Sequence, residues 1–268
     1  MYASDRSAPA ASGKRSRRMT SILDLLAERG TVSLSELSET LGISPATARR
    51  DLADMSEQLL LVRTHGGARL IESRNELPVA LRGARFAEAK KAIAAAVADA
   101  IPQQRYAVAL SGGTTAANVA RALAGHKDLT IVTNSLTIAQ LVTSYPQLKV
   151  VMTGGILRSE SLELVGVLAE NTFNAINLGT AILGTDGMTA EGGVTTHDET
   201  EARTNNAMVT HAQRVIVVAD GSKIGRLALA KVATIDQVDF LVTDSSADPE
   251  ELARIRAAGV EVLVVEVP

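Results

Sequence analysis

From residue 106 onward, short apolar runs alternate with helical patterns, and this alternation restricts the fold more than any other feature of the chain. It predicts an α/β domain with a parallel, Rossmann-like sheet, because successive parallel strands need a crossover connection, usually a helix. The predicted strands are Tyr106–Leu110, Leu129–Thr133, Val150–Met152, Thr180–Leu183, Val215–Ala219, Phe240–Thr243 and Val262–Val265. The predicted helices lie near 114–124, 135–144, 162–173, 198–211 and 248–258.

Polar, glycine-rich segments follow several of these strands, and the first of them is Ser111-Gly112-Gly113-Thr114-Thr115. Ligands of open parallel sheets bind at the carboxyl ends of the strands. Glycines let the backbone approach an anion, and the amides at a helix start donate to it together with hydroxyl groups. The segment therefore predicts a phosphate site, although a plain tight turn explains it equally well when it is taken alone. ATP and NAD are disfavoured, since neither a Walker lysine nor a GxGxxG pattern is present.

Three further polar residues, Asn134, Asp186 and Lys223, follow other strands and are expected at the same edge of the sheet. Asn134 and Asp186 are predicted to bond sugar hydroxyls, and Lys223 to neutralise a phosphate or a carboxylate. The alternative for Lys223 is a solvated turn residue.

A long polar connection over residues 191–199 leads into a predicted helix. Asp198 is predicted to cap this helix, and Glu201 to interact favourably with its dipole. His197 is either a ligand contact or an ordinary surface histidine. The four His residues lack metal-ligand spacing and the chain has no Cys, so nothing indicates a zinc site or a thiolate nucleophile.

The first 70 residues contain signals for three short helices. An apolar face over residues 19–26 marks the first helix. Ser33 followed by Glu36 predicts a capping box at the start of the second. Gly42 supplies a tight turn, and Ser44 caps the third helix. Two helices joined by a glycine turn are typical of a helix-turn-helix unit.

The third helix presents its basic residues on the outside. Thr47, Arg49 and Arg50 lie near its N-terminus, which in this motif meets base edges in the major groove. The alternative is that the two arginines are solvated charges paired with Asp51 or Asp54. The residues expected to pack inward are Ala48, Leu52 and Met55.

A wing is predicted after this helix. Leu59–Val62 has the pattern of a short strand, and the segment from Arg63 to Ala68 has that of a turn. Arg63 and His65 are expected to reach phosphates, and Gly66 to let the turn approach the DNA backbone.

Residues 18–68 resemble the DNA-binding domain of DeoR-type repressors, through SLSELSETLGISPATARRDL and VRTHGGA. The resemblance implies a winged helix-turn-helix that binds double-stranded operator DNA. Two positions depart from the family pattern: Ala48 replaces the usual Ile or Val, and Leu59 replaces the usual Gly. The residues expected to contact DNA are Ser33, Ser44, Thr47, Arg49, Arg50, Arg63, His65 and Gly66.

The remaining segments resemble the effector domain of the same family, which is similar in fold to ribose-5-phosphate isomerase and glucosamine-6-phosphate deaminase. SGGTT, TNS, TGG, LGTDG, GVTTHDE and DGSK follow in the family's order. Ser111 stands where the family often has Asp, and TTHDETEA is similar to the N-acetylgalactosamine-operon branch. The resemblance implies a phosphorylated sugar as effector, with a lean towards an amino-sugar or hexose phosphate. The residues expected to bind it are Ser111, Gly112, Gly113, Thr114, Thr115, Asn134, Asp186 and Lys223.

Composition fits this division. Residues 1–70 hold 10 Lys/Arg and 8 Asp/Glu (+2), whereas residues 71–268 hold 17 and 22 (−5), so the negative overall charge of −3 comes from the second part. Aromatic residues make up only 2% of the chain, which disfavours binding modes that stack single-stranded bases on rings. The expected division is a disordered arm over 1–13, a DNA-binding domain over 14–70, a linker over 71–85 and an effector domain over 86–268.

The sequence therefore predicts a cytoplasmic transcriptional regulator, a homodimer or homotetramer without cofactor, metal or membrane segment. Repression relieved by a phosphorylated sugar is the expected mode, with activation as an alternative. A rival from another class is a sugar-phosphate isomerase or deaminase, whose general base would come from Asp186, His197, Asp198 or Glu199.

Overall fold

The structure is a computed structural model that describes residues 15, 18–19, 21–23, 25–26, 29–57, 60–70, 79–82 and 86–267. The predicted arm over 1–13 and most of the predicted linker over 71–85 lie outside these residues. The chain divides into two compact units, Met1–Arg85 and Phe86–Pro268, and each is described by itself.

The N-terminal unit combines helices with a small antiparallel sheet. Helical residues between 15 and 29 come first. The elements that follow are β1 (Thr31–Ser33), α1 (Leu34–Leu41), α2 (Pro45–Glu57), β2 (Leu61–Thr64) and β3 (Gly67–Leu70). The sheet order is β1-β3-β2, so the hairpin of β2 and β3 forms the predicted wing.

Local signals for this unit are confirmed. Ser33 and Glu36 form the capping box of α1, and Gly42 ends that helix with φ 62°. The faces predicted to pack inward are buried together, including Ala48, Leu52 and Met55.

Two details of the wing differ from the prediction. The strand predicted at Leu59–Val62 lies at Leu61–Thr64, and Leu59 is outside the described residues. Strand β1 was not predicted, although its Thr-Val pair is typical of strands. Gly67 is needed because β1 lies so close that a Cβ at this position would collide with the Val32 carbonyl oxygen.

The C-terminal unit is built on a seven-stranded parallel sheet of order β15-β14-β12-β9-β4-β5-β6. Its strands are β4 (Tyr106–Leu110), β5 (Leu129–Thr133), β6 (Lys149–Met152), β9 (Leu178–Gly184), β12 (Ala212–Val218), β14 (Phe240–Asp244) and β15 (Glu261–Val265). Helix α3 (Val79–Arg82) belongs to the N-terminal unit. The helices of the C-terminal unit are α4 (Ala87–Asp99), α5 (Thr114–Ala122), α6 (Leu136–Val142), α7 (Val167–Asn174), α8 (Glu199–Thr210) and α9 (Pro249–Ala257). All seven predicted strands are confirmed, and apolar side chains cover both faces of the sheet.

Five short strands were missed. They are β7 (Ile156–Arg158), β8 (Glu163–Val165), β10 (Gly187–Thr189), β11 (Gly193–Thr196) and β13 (Ala230–Ala233). The helix predicted over 162–173 was therefore wrong at its start, because Glu163–Val165 pairs with β7 instead. Gly166, with φ 92°, separates that strand from helix α7. The predicted linker also contains helix α3.

The strand order fixes where a ligand site belongs. From β4 the chain proceeds towards β5 and β6 on one side, and towards β9 and β12 on the other. Adjacent parallel strands whose connections leave in opposite directions open a crevice at their carboxyl ends, which is where such sheets bind ligands. That crevice lies between the ends of β4 and β9.

Candidate functional site

The N-terminus of α2 is fixed by its own hydroxyls. The Ser44 Oγ accepts a hydrogen bond from the Thr47 amide at 3.2 Å and lies 2.9 Å from the Thr47 Oγ1. Ser44 is therefore a helix cap, as predicted. Both residues stay at the surface of the helix end that is expected to enter the major groove.

Arg49 and Arg50 are exposed on the outer face of α2. Their proposed pairing with Asp51 or Asp54 is wrong, because those carboxylates are taken: Arg18 binds Asp51, with a second contact at 3.0 Å, and Arg15 binds Asp54. Within the described part of the chain, neither Arg49 nor Arg50 has an ion-pair partner. The first helix thus neutralises Asp51 and Asp54 of α2 and leaves two arginines for an external anion.

The wing tip is also open. Arg63, His65 and Gly66 are exposed, and the Gly66 carbonyl accepts from the Leu34 amide at 2.8 Å, which ties the wing to α1. Ser33 differs from the other predicted DNA contacts. Its Oγ accepts from the Glu36 amide at 3.2 Å and lies 2.7 Å from the Glu36 Oε2, so its side chain is engaged in the cap.

In the C-terminal unit, residues 111–115 lie at the crevice between β4 and β9. Ser111 is buried, and its Oγ accepts from the Gly184 amide at 2.9 Å, joining the two strand ends. Gly113, with φ 96°, is the N-cap residue of α5 and supplies no side-chain cap. Thr114 and Thr115 form the first turn of that helix. The loop therefore presents a glycine approach and uncapped helix amides, the arrangement that binds phosphate groups.

One amide of this loop is already occupied. The Gly112 amide donates to the Glu163 Oε1 at 2.6 Å. Glu163 comes from β8, one of the strands that the sequence did not predict, and is almost fully buried.

A polar cluster is formed by residues that follow β9, that end β11 and that follow β12. Asp186 accepts from the Lys223 Nζ at 3.4 Å, and its Oδ2 lies 3.0 Å from the Thr196 Oγ1. The His197 Nε2 lies 3.9 Å from the Asp186 Oδ1. Lys223 is thus an ion-pair partner of Asp186 and not a freely solvated turn residue.

Glu201 connects this cluster to Glu163. Its carboxylate accepts from the Thr196 Oγ1 at 2.7 Å and from the Arg158 Nη1 at 3.2 Å. Arg158 also lies 3.4 Å from Asp198, which caps α8 as predicted by accepting from the Glu201 amide at 2.8 Å. Burial raises the pKa of the Glu163 carboxyl well above its ordinary range, and the nearby Glu201 carboxylate adds to the rise.

Asn134 lies deeper than the other predicted residues. Its side chain is fully buried, and its Nδ2 donates to the Asn205 Oδ1 at 3.3 Å. The Asn134 Oδ1 is buried without a hydrogen-bond partner among the described residues. A buried amide oxygen of this kind is costly unless a donor, such as a ligand hydroxyl, reaches it.

Three residues of this site were missed by the sequence analysis. Glu201 was assigned only to the helix dipole, whereas it is buried in the centre of the polar cluster. Arg158 and Glu163 belong to the unpredicted hairpin of β7 and β8, whose three-residue strands are too short to give a periodic signal. Glu199, a candidate base for the rival enzyme, is exposed on the outer side of α8, in a groove of about 600 Å³ that none of the predicted effector residues lines.

An open DNA-reading helix and wing, carried by the same chain as a parallel sheet with a phosphate-type loop at its crevice, define a ligand-sensing transcriptional regulator. The model of the DeoR-like helix-turn-helix domain matches residues 18–74, and that of the DeoR C terminal sensor domain matches residues 85–245. The chain belongs to the DeoR family of transcriptional regulators. It is a DNA-binding regulator and not an isomerase or deaminase.

Similar proteins agree over nearly the whole chain. A protein of Escherichia coli O157:H7 named as an aga operon transcriptional repressor is 34% identical over 253 residues, which cover 93% of this chain and 94% of that protein. The glycerol-3-phosphate regulon repressor of Escherichia coli K12 is 36% identical over 232 residues, covering 87% and 92%.

Two solved structures show weaker likeness. Ribose 5 phosphate isomerase A from Neisseria gonorrhoeae has a TM-score of 0.37 and 17% identity, covering 50% of this chain and 52% of that one. The sorbitol operon regulator SorC from Klebsiella pneumoniae has a TM-score of 0.35 and 14% identity, covering 77% and 89%. Family membership depends on the sequence matches and not on these structures.

Among the described residues, no helix is long and apolar enough to cross a membrane, and no group of three or more His, Asp or Glu side chains could hold a metal ion.

Proposed function

We propose that this regulator represses a sugar-catabolic operon by binding its operator through α2 and the wing, and that a phosphorylated sugar at residues 111–115 weakens that binding. The uncapped glycine start of α5, at the crevice of the parallel sheet, is the observation that carries the proposal. A phosphate there would accept from the loop amides and from Thr114 and Thr115, with the helix dipole favouring its negative charge.

The sugar itself would extend towards the polar cluster. Asp186 and Glu201 offer acceptors for hydroxyls, Arg158 and Lys223 offer donors, and Asn134 has an unsatisfied oxygen. The relatives named for the aga operon and for the glycerol-3-phosphate regulon are 34% and 36% identical. The candidate effectors are therefore an amino-sugar phosphate, a hexose phosphate and glycerol 3-phosphate, which is a polyol phosphate.

DNA binding is proposed to use two copies of the chain. A single recognition helix reads one half-site, and helix-turn-helix dimers place two such helices about one helical turn apart on a symmetric operator. We propose a homodimer or homotetramer on this ground, acting in the cytoplasm.

Two assays on the full chain test this function. A gel shift with DNA from upstream of its own gene and neighbouring operons should show a specific complex that unrelated competitor DNA does not remove. Thermal melts with a panel of hexose, amino-sugar and glycerol phosphates, each beside its unphosphorylated parent, should show that only a phosphorylated compound raises the melting temperature of the protein. The proposal would be contradicted if none of these promoters formed a specific complex.

A further inference from the structure

We propose that Glu163 is a built-in competitor for the phosphate of the ligand: its carboxyl group holds the Gly112 amide in the free protein and leaves that amide when a phosphorylated ligand binds. The proposal rests on the proposed function, since it requires a phosphate at residues 111–115.

The first argument is the shared donor. The Gly112 amide is a member of the glycine loop that would bind phosphate, and it donates to the Glu163 Oε1 at 2.6 Å. One N–H group makes one strong hydrogen bond. A phosphate oxygen that takes this amide must therefore displace the carboxyl oxygen.

The second argument is space. A Cβ built on Gly112 would collide with Cγ, Cδ and Oε1 of Glu163. The Glu163 side chain thus fills the volume beside the loop backbone, where an anion would have to lie in order to reach the amide. Phosphate and Glu163 side chain cannot occupy that volume together.

The third argument is the surroundings of the carboxyl group. Glu163 is 2% exposed and lies against the Glu201 carboxylate, which Arg158 and Thr196 already hold. A dianionic phosphate in this buried place would add charge of the same sign as the Glu201 carboxylate, which is unfavourable. Withdrawal of Glu163 from the loop relieves the crowding.

The backbone around Glu163 offers a way for it to move. Strand β8 pairs with β7. The two residues next to Glu163, Leu162 and Leu164, each make one backbone hydrogen bond to the segment after β5, at 3.0 and 2.8 Å. Gly155, with φ 139°, and Gly166, with φ 92°, flank the hairpin. Displacement of Glu163 would consequently shift the β7–β8 hairpin, whose outer residue Leu157 is 48% exposed.

Calorimetric titration of the full chain with inorganic phosphate tests the competition. Glu163→Ala frees the amide and the space, so phosphate should bind about tenfold more tightly than to the unsubstituted protein. Glu163→Gln keeps an acceptor oxygen at Gly112 and should gain less. Glu163→Ser, whose hydroxyl is too short to reach the amide, should repeat the gain if the alanine variant does not fold. Glu160→Ala, in the turn of the same hairpin, is the matched control and should change nothing.

A reporter on the hairpin tests the movement. The chain has no Cys, so Leu157→Cys can carry a single environment-sensitive dye. Inorganic phosphate should change the dye signal, and the added Glu163→Ala substitution should produce much of that change without phosphate. An unchanged signal at saturating phosphate would contradict the displacement.

The outcomes separate the two proposals. Equal phosphate affinity in the Glu163→Ala and unsubstituted proteins, or weaker affinity in the variant, overturns the competition alone. Failure of both proteins to bind inorganic phosphate and every sugar phosphate overturns the phosphate site as well.

Discussion

The two candidate binding surfaces of this protein differ in whether their charged side chains are paired inside the protein. On α2, Asp51 and Asp54 are neutralised by Arg18 and Arg15 from the first helix, and Arg49 and Arg50 stay exposed. At the crevice of the parallel sheet, nearly every charged group has a partner inside the protein, and one loop amide is held by Glu163. The candidate DNA surface is open, whereas a ligand at the candidate effector site would have to replace internal contacts with its own. Such an exchange gives a ligand the means to change the structure.

The largest expected effect comes from breaking a buried pair in the C-terminal unit. The Lys90 Nζ lies 3.7 Å from the Asp220 Oδ2, and both side chains are about 5% exposed or less. Lys90→Met would leave Asp220 buried without its cation, so the free energy of unfolding should fall by about 3–5 kcal/mol. Urea unfolding of the C-terminal unit measures this.

Lys91→Met is the matched control for that variant. Lys91 pairs with Glu88 on the exposed side of α4, and such surface pairs contribute about 0–1 kcal/mol. If the free energy of unfolding fell equally in the two variants, the buried Lys90–Asp220 pair would contribute no more than the exposed Lys91–Glu88 pair, which would contradict this prediction.

The open DNA surface predicts the reverse pattern for Arg49. Arg49→Ala should weaken specific DNA binding by about 1–3 kcal/mol if the side chain reads a base, while the free energy of unfolding changes by less than about 0.5 kcal/mol. Fluorescence anisotropy with a specific duplex and chemical unfolding measure the two quantities. Arg29→Ala, another exposed arginine of the same unit, should leave specificity unchanged. If the DNA affinity of Arg49→Ala were unaltered, Arg49 would be a solvated surface charge and not a base-reading residue.

The hydroxyl of Thr114 tests the proposed phosphate site. Thr114→Ala removes a hydroxyl donor from the proposed phosphate site, so affinity for the phosphorylated effector should fall about tenfold, as for one hydrogen bond to a charged group. DNA binding without ligand should stay intact. Titration calorimetry measures the first, and a gel shift measures the second. Thr143→Ala, at the exposed end of α6, serves as control, and a simultaneous loss of both activities would indicate misfolding.

The smallest expected effect is a pH dependence of stability from Glu163. Its native pKa lies above the ordinary value of 4.5, so between these two values the native state holds a proton that the unfolded chain has released. The resulting stabilisation is fully present below about pH 4.5 and is lost as pH rises through the raised pKa. The charged groups around it are Glu201 and, through Glu201, Arg158 and Asp198.

Glu163→Gln should remove this part of the pH dependence, because an amide does not titrate. Urea unfolding at a series of pH values, for both proteins, checks it. Parallel curves for the two proteins would contradict the raised pKa.

The sequence predicted the long elements and the loops at the strand ends, because apolar periodicity and glycine position report local structure. All seven strands of the main sheet and the capping box at Ser33 follow from such signals. The hairpin of β7 and β8 did not, because three-residue strands carry too little periodicity to distinguish them from the start of a helix. Because this hairpin was not predicted, Arg158 and Glu163 were not recognised as residues of the site.

Partners that are distant in sequence were equally out of reach. Neither the pairing of Arg18 with Asp51 nor that of Glu201 with Arg158 leaves any mark in the local pattern. Consequently, pairing of Arg49 and Arg50 with Asp51 or Asp54 was an open alternative, and Glu201 was predicted only to interact with the helix dipole. The chemistry of each surface depends on which charges the tertiary fold neutralises.

Coupling between the two surfaces is the most direct test of this account. Anisotropy titrations would give the affinity of the full chain for a specific duplex in the presence of a sugar phosphate that stabilises it, and of the unphosphorylated parent sugar. We expect the phosphorylated ligand to weaken DNA binding about 5- to 150-fold, the usual range of allosteric coupling, and the parent sugar to leave it unchanged. Equal DNA affinity with and without the bound phosphate, or the same weakening by the parent sugar, would contradict it.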